Sequence, residues 1–153
     1  MFKFIRIQSP IGIDYLRDKL ILGETAETED QLIEMLKGIL LGQPLRTFYM
    51  SVVDEDNIIA FILGYVPEGS KYAVVFQIWS LLSAEQQRDT LFMRFLLWCE
   101  QLEIEEVRMD DTRTSAEQQM KWGFKTCMTV RSLNVTQGLE SKLQNQTEIG
   151  DHK

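Results

Sequence analysis

Tyr72 to Trp79 reads YAVVFQIW, a stretch with one polar side chain and no charge. Pro67-Glu68-Gly69-Ser70 supplies a turn before it. A strand this apolar has to be covered on both faces, so it is expected at the centre of a sheet. Next come Leu91, Phe92, Phe95, Leu96, Trp98, Cys99 and Leu102 at helical spacing, behind a Ser83/Gln86 pair with the form of a capping box. That apolar face is too wide for a surface helix and should lie flat against the sheet. These two segments together require an α/β layered domain.

The other segments fit that plan. Phe2 to Ile7 alternates apolar with polar residues and stops at Ser9-Pro10, as a strand does. Ile13, Leu16 and Leu20 then follow at helical spacing. Thr28 and Gln31 form a second capping-box pair, ahead of a helix with Leu32, Met35, Leu36, Ile39 and Leu40 on one face and Gly42 and Pro44 at its end. Thr47–Val53 and Ile58–Val66 read as a hairpin around the acidic turn Asp54-Glu55-Asp56-Asn57. Ile104–Met109 reads as a strand, Ser115–Lys121 as a short helix and Phe124–Leu133 as a closing strand. From Thr136 the chain is polar and Gln-rich, so residues 1–134 are expected to form the domain and 135–153 a polar C-terminal tail. The pentapeptide SAEQQ occurs at Ser83 and again at Ser115, which common helix-start chemistry explains without a repeat.

The 153 residues suit one domain. Aspartate and glutamate number 23 against 16 lysines and arginines, a formal charge of -7 that argues against nucleic acid and anionic membrane and favours a basic protein partner. No apolar run is long enough to cross a bilayer and no leader pattern is evident, so a cytoplasmic location is expected, where the sequons at Asn134 and Asn145 would go unused. Cys99 and Cys127 sit in apolar runs without metal-ligand spacing, and the one histidine, His152, lies in the polar tail. No metal site is expected. Trp79, Trp98 and Trp122 read as packing residues rather than base-stacking platforms.

Gln118-Gln119-Met120-Lys121-Trp122-Gly123-Phe124 resembles the passage "aromatic, Tyr, Glu, Lys, Leu, Gly, Phe" of the GNAT N-acyltransferases, where the last helix turns into the following strand. Glycine leaves the helix and phenylalanine drops into the core. The order of elements over residues 2 to 133 is similar to that family too: an α/β fold with a mixed central sheet, order β-α-α-β-β-β-α-β-α-β, and helices on both faces. The resemblance implies acetyl-CoA or another acyl-CoA held in a wedge between two parting central strands, with the backbone of Trp79, Ser80 and Leu81 pairing with the pantetheine arm. It also implies that Gln87 and Arg88 lie near the pyrophosphate, at the start of a helix whose dipole attracts anions. The family's glycine positions fall on Arg88, Thr90 and Phe92, which makes the loop degenerate. The family's frequent asparagine falls on Thr112, and its tyrosine, an acid for the leaving thiolate, on Gln119.

Two residues are candidates for the chemistry. Gln77 is polar inside the apolar strand, where the wedge would open, and is expected either to touch a ligand or to be satisfied in the core. Asp110, with Asp111, Thr112 and Arg113, follows a strand at the end where open α/β sheets bind ligands, and could act as a general base or select an amine. The other reading of that cluster is a charged loop capping the next helix. The resemblance implies an N-acyltransferase, acetyl being the expected group, acting on an amine. The departures at Arg88, Thr90, Phe92 and Gln119 imply instead a GNAT-like domain without catalysis that binds partners or assembles as a homodimer. An unrelated α/β interaction domain is the third reading.

Overall fold

The computed structural model describes residues 1–22, 28–110, 122–127 and 130–140, with Asp110, 125–127 and 130–132 described through their backbone. Its strands are β1 (Phe2–Arg6), β2 (Thr47–Asp54), β3 (Asn57–Tyr65), β4 (Tyr72–Ser80), β5 (Glu106–Asp110), β6 (Lys125–Cys127) and β7 (Val130–Asn134). They form one seven-stranded sheet in the order β1-β2-β3-β4-β5-β7-β6. Only the β4–β5 pair is parallel; every other neighbour is antiparallel. The helices α1 (Ile11–Asp14) and α2 (Glu29–Gly42) pack on one face and α3 (Glu85–Gln101) on the other. This is the mixed sheet with helices on both faces that the sequence implied.

The Thr28 capping box forms in full. The Thr28 hydroxyl oxygen accepts from the Gln31 N–H at 3.2 Å, and Gln31 Oε1 accepts from the Thr28 N–H at 2.8 Å. The buried stripe of α2 is Leu32, Ile33, Leu36 and Leu40, while Met35 is exposed, so the helix is rotated slightly from the expected face. The helix expected through Ile13, Leu16 and Leu20 is instead α1 followed by a 3₁₀ turn at Arg17–Lys19. The three-residue step from Ile13 to Leu16 suits a 3₁₀ turn, and both side chains are fully buried. Arg17 fastens this segment to Glu29 and Asp30 at the start of α2.

The hairpin from β2 to β3 turns on Glu55 and Asp56, both at positive φ, matching the expected acidic tip. On the other side of the sheet, α3 buries Leu91, Phe92, Phe95, Leu96 and Cys99. It lies close because Gly64 of β3 has no side chain. A Cβ there would come within 2.8 Å of Phe95 Cδ2. Gly64→Ala is therefore expected to lower stability by about 1–3 kcal/mol, readable by denaturant unfolding, through overpacking of a tight contact. Burial pushes the Cys99 thiol up to about 12, which keeps it uncharged near neutral pH.

Three expectations need correction. First, β4 is central but not buried on both faces: Ala73, Val75 and Ile78 are buried, whereas Tyr72, Val74, Phe76 and Trp79 are half-exposed. The reason is that the cluster under α1 and α2 is built mainly on β2 and β3. Second, the closing strand is two strands, β6 and β7, paired antiparallel, and it is β7 that lies beside β5. Third, the core does not end at 134. Residues 135–140 are helical, Asn134 Oδ1 accepts from the Gln137 N–H at 3.2 Å as a cap, and Val135 and Leu139 are buried in the α3-side core. The short helix expected at Ser115–Lys121 lies outside the described residues.

Candidate active site

The parallel ladder between β4 and β5 runs only from Tyr72↔Glu106 to Val75↔Met109. β4 continues to Ser80 along β3, and among the described residues no strand pairs with β4 beyond Val75. β4 thus runs on past its last β5 partner, and β5 itself ends at Asp110. Leu63 matches Gln77 and Gly64 matches Val75, so the register steps over Phe76 in a β-bulge. A bulge bends and twists its strand, here at the residue where β5 is lost as a neighbour.

The ladder to β3 also fixes which backbone groups of β4 point away from β3. The Leu81 N–H donates to the Ile59 carbonyl at 2.9 Å. In an antiparallel pair the groups alternate, so Leu81 and Trp79 are committed to β3, while the N–H and C=O of Ile78 and Ser80 point to the open side. The Ser80 hydroxyl oxygen is buried, with no hydrogen-bond partner among the described residues. Of the three residues expected to pair with an extended ligand, Ser80 turns its backbone N–H and C=O away from β3. Trp79 and Leu81 spend theirs on β3, and Ile78, which the sequence reading missed, joins Ser80. The signal for this was the bulge, and YAVVFQIW carries no break in pattern that reveals it.

Gln77 lies in the core. Its side chain is fully buried and satisfied: Oε1 accepts from the Ile21 N–H at 3.0 Å and Nε2 donates to the Lys19 carbonyl at 2.9 Å. It is a core glutamine whose amide ties residues 19–21 to β4. Beside it, the Trp79 ring stacks on Phe61 at 5.6 Å, and the Lys19 ammonium lies 5.7 Å from the Trp79 ring centre. Asp110 directly follows the last β4–β5 pair, and its backbone is in register with Val130. Thr112, Asp111, Arg113 and Gln119 lie outside the described residues.

The connection from β4 to α3 is short. Leu82–Ala84 make one 3₁₀ turn, and α3 starts at Glu85 with Ala84 as its N-cap. The capping box expected at Ser83 does not form, because Ser83 lies inside that turn and Ala84 takes the cap position without a side-chain bond. The first-turn N–H groups are therefore uncapped by any side chain. The stretch Gln87–Phe92, expected as a phosphate-binding loop, is helix. Gln87 sits in the first turn. The Arg88 guanidinium lies over the Trp122 ring at 5.5 Å, and the Asp89 carboxylate accepts from Trp122 Nε1 at 3.2 Å. The Thr90 hydroxyl donates back to the Gln86 carbonyl at 3.0 Å. Phe92 is fully buried against Trp122 and Phe124. Arg88 and Thr90 are thus engaged in helix and core contacts, and Phe92 belongs to the core.

The Trp122-Gly123-Phe124 passage behaves as its residues demanded: Gly123 has φ 96° and Phe124 is buried beneath α3. A mixed sheet whose one parallel pair among the described strands is β4–β5, with a bulge at the end of that pair and a helix following β4, frames the comparison. This chain has the GNAT fold. PaiA N-acetyltransferase from Thermoplasma acidophilum, in complex with coenzyme A, is similar with a TM-score of 0.64 over 88% of this chain and 99% of that one, at 12% identity. The ribosomal-protein-S18-alanine N-acetyltransferase from Escherichia coli has a TM-score of 0.64 over 88% and 94%, at 12% identity. A GNAT family acetyltransferase from Brucella melitensis, in complex with acetyl-CoA, has a TM-score of 0.61 over 88% of each chain, at 11% identity. At such identities the likeness is one of fold. No protein-family model and no curated protein matches the sequence. Among the described residues of this GNAT fold, no group of three His, Cys, Asp or Glu could hold a metal ion, and no helix is long and apolar enough to cross a membrane.

Proposed function

We propose that this GNAT-fold protein binds an acyl-CoA in the wedge and transfers its acyl group, acetyl being the simplest case, to an amine. The observation that carries the reading is the backbone edge of Ile78 and Ser80, which points away from β3 and is paired with no strand among the described residues, near the first turn of α3, which no side chain caps. An extended amide-bearing arm can add to such an edge as a strand does. The N–H groups of α3's first turn suit an anionic pyrophosphate through the helix dipole, with Gln87 alongside and Glu85 opposing. Two similar proteins hold coenzyme A or acetyl-CoA, which supports the cofactor class.

When bound, acyl-CoA supplies an activated thioester. The chain's contribution is alignment: Ile78 and Ser80 hold the arm, the bulge at Phe76 sets where the strand turns away, and Asp110 stands at the apex. The amine nitrogen forms a bond to the acyl carbon as the carbon–sulfur bond breaks. A carboxylate at Asp110 accepts the amine proton, and the thiolate departs without needing a protein acid. The alternative, a GNAT-like binding module without catalysis, draws on the burial of Phe92 and the helical form of Gln87–Phe92, which leave no glycine-rich cradle.

Calorimetric titration with acetyl-CoA and with CoA, at low and at physiological salt, separates the two. The expected result is one-to-one binding that persists at physiological salt. Absence of binding to both ligands in both buffers overturns the acetyltransferase reading and leaves the binding module.

A further inference from the structure

We infer that the outer edge of β1 is a docking site for an extended acidic segment of a partner protein, which adds to the sheet as a further strand. The inference stands apart from the acyltransferase reading. β1 ends the sheet, and among the described residues no strand pairs with its outer side. The Ile7 N–H donates to the Tyr49 carbonyl at 2.8 Å, so by the alternation of an antiparallel pair Lys3, Ile5 and Ile7 spend their backbone groups on β2, while Phe2, Phe4 and Arg6 turn theirs outward. An open row of donors and acceptors of this kind accepts a strand from another chain.

Charge decides what kind of strand. Phe2, Phe4 and Arg6 share one face of β1, the face on which Phe4 packs with the α3-side core. The Arg6 guanidinium lies 4.5 Å from the Phe48 ring centre and donates from Nη2 to the Thr47 carbonyl at 2.9 Å, and its buried Nε has no hydrogen-bond partner among the described residues. The guanidinium of Arg94, exposed on α3, lies 4.1 Å from the Phe4 ring centre. Neither arginine has a carboxylate partner among the described residues, in a chain whose acids outnumber its bases 23 to 16. In an added strand the residues opposite Phe4 and Arg6 project onto this same face, so carboxylates at those alternate positions come beside Arg94 and Arg6. A second copy of the chain would instead set arginine row against arginine row, which like charges oppose. The formal charge of -7 repels an acidic partner at long range, but that field is screened over about 8 Å at physiological salt and the pairing is local.

Fluorescence anisotropy with a labelled peptide of alternating glutamate and valine tests this, with the glutamine–valine peptide as control. The acidic peptide is expected to bind saturably at physiological salt, about tenfold or more tighter than the control. Arg94→Gln, an exposed change that leaves the buried face of α3 intact, is expected to weaken it about two- to fivefold, the range for an exposed ion pair. Amide exchange supplies the geometry: the Phe4 and Arg6 N–H groups are expected to slow about tenfold or more in saturating peptide, while that of Ile5, already bonded to β2, is unchanged. No binding of the acidic peptide, or equal binding of the control, overturns the acidic partner. Binding without slowed exchange at Phe4 and Arg6 overturns strand addition. Slow exchange at those two amides in the free protein, together with a dimeric mass in sedimentation, gives the edge to a second copy and overturns the inference.

Discussion

Phe92→Ala is expected to be the most destabilising of the changes considered, by about 3–5 kcal/mol, with an apparent Tm lower by about 6–20 °C for a domain of this size. The ring is fully buried between α3 and the chain's closing segment, 4.7 Å from the Trp122 ring centre and 5.8 Å from that of Phe124. Truncation leaves a cavity lined by aromatic rings that cannot collapse, because Trp122 is held by Asp89 and Phe124 follows the constrained Gly123. Chemical denaturation of both proteins, with equal m-values, gives the difference directly. The same variant is expected to gain no affinity for CoA, since residue 92 lies in the middle of α3, far along the helix from its first turn. A loss below about 1 kcal/mol, outside the range for buried aromatic truncation, would mean that Phe92 is not core and that the loop alignment drawn from the sequence was right after all.

Ser80→Pro is expected to weaken acetyl-CoA binding by about tenfold or more while leaving the melting temperature nearly unchanged. The substitution removes one N–H that faces the wedge and fills the edge with a ring, and a lost buried hydrogen bond alone accounts for about 0.5–1.5 kcal/mol. Trp79, the preceding residue, is already in an extended strand, as a following proline needs. The contrast is Leu81→Pro. That N–H is used within the sheet, donating to Ile59, so its loss should reduce stability instead. Calorimetry on both variants and thermal melts of both make the comparison. Wild-type affinity in Ser80→Pro would show that the arm does not run along this edge.

Much of the architecture was legible along the chain because it follows from local rules. The Thr28/Gln31 box formed as read, since its two hydrogen bonds connect residues three apart and need nothing from the rest of the molecule. Gly123 took a positive φ, and Phe124 went into the core. The Ser83/Gln86 pair has the same pattern and did not cap. There the tertiary position of β4 and the burial of Ala84 set where the helix starts, and a 3₁₀ turn took up the serine. The division at 134 failed for a similar reason: two apolar residues, Val135 and Leu139, are too few to give a pattern, yet they find the α3-side core already formed.

The site was less legible than the fold. The sequence marked Gln77 as a polar group needing partners, and it had them, but they came from Lys19 and Ile21, more than fifty positions away. Nothing in YAVVFQIW reveals that Phe76 is the residue over which the register steps, because a bulge depends on how β3 aligns with β4. By itself, then, the sequence determined the elements, their order and the layered α/β plan, since periodicity and capping are properties of neighbouring residues. Only the tertiary structure decided that β4 runs on past its last β5 pair at Val75 and Met109, that Ile78 and Ser80 turn their backbone groups away from β3, and that Phe92 is core. Strand register and side-chain burial are settled by which distant segments meet, and no local pattern encodes that meeting.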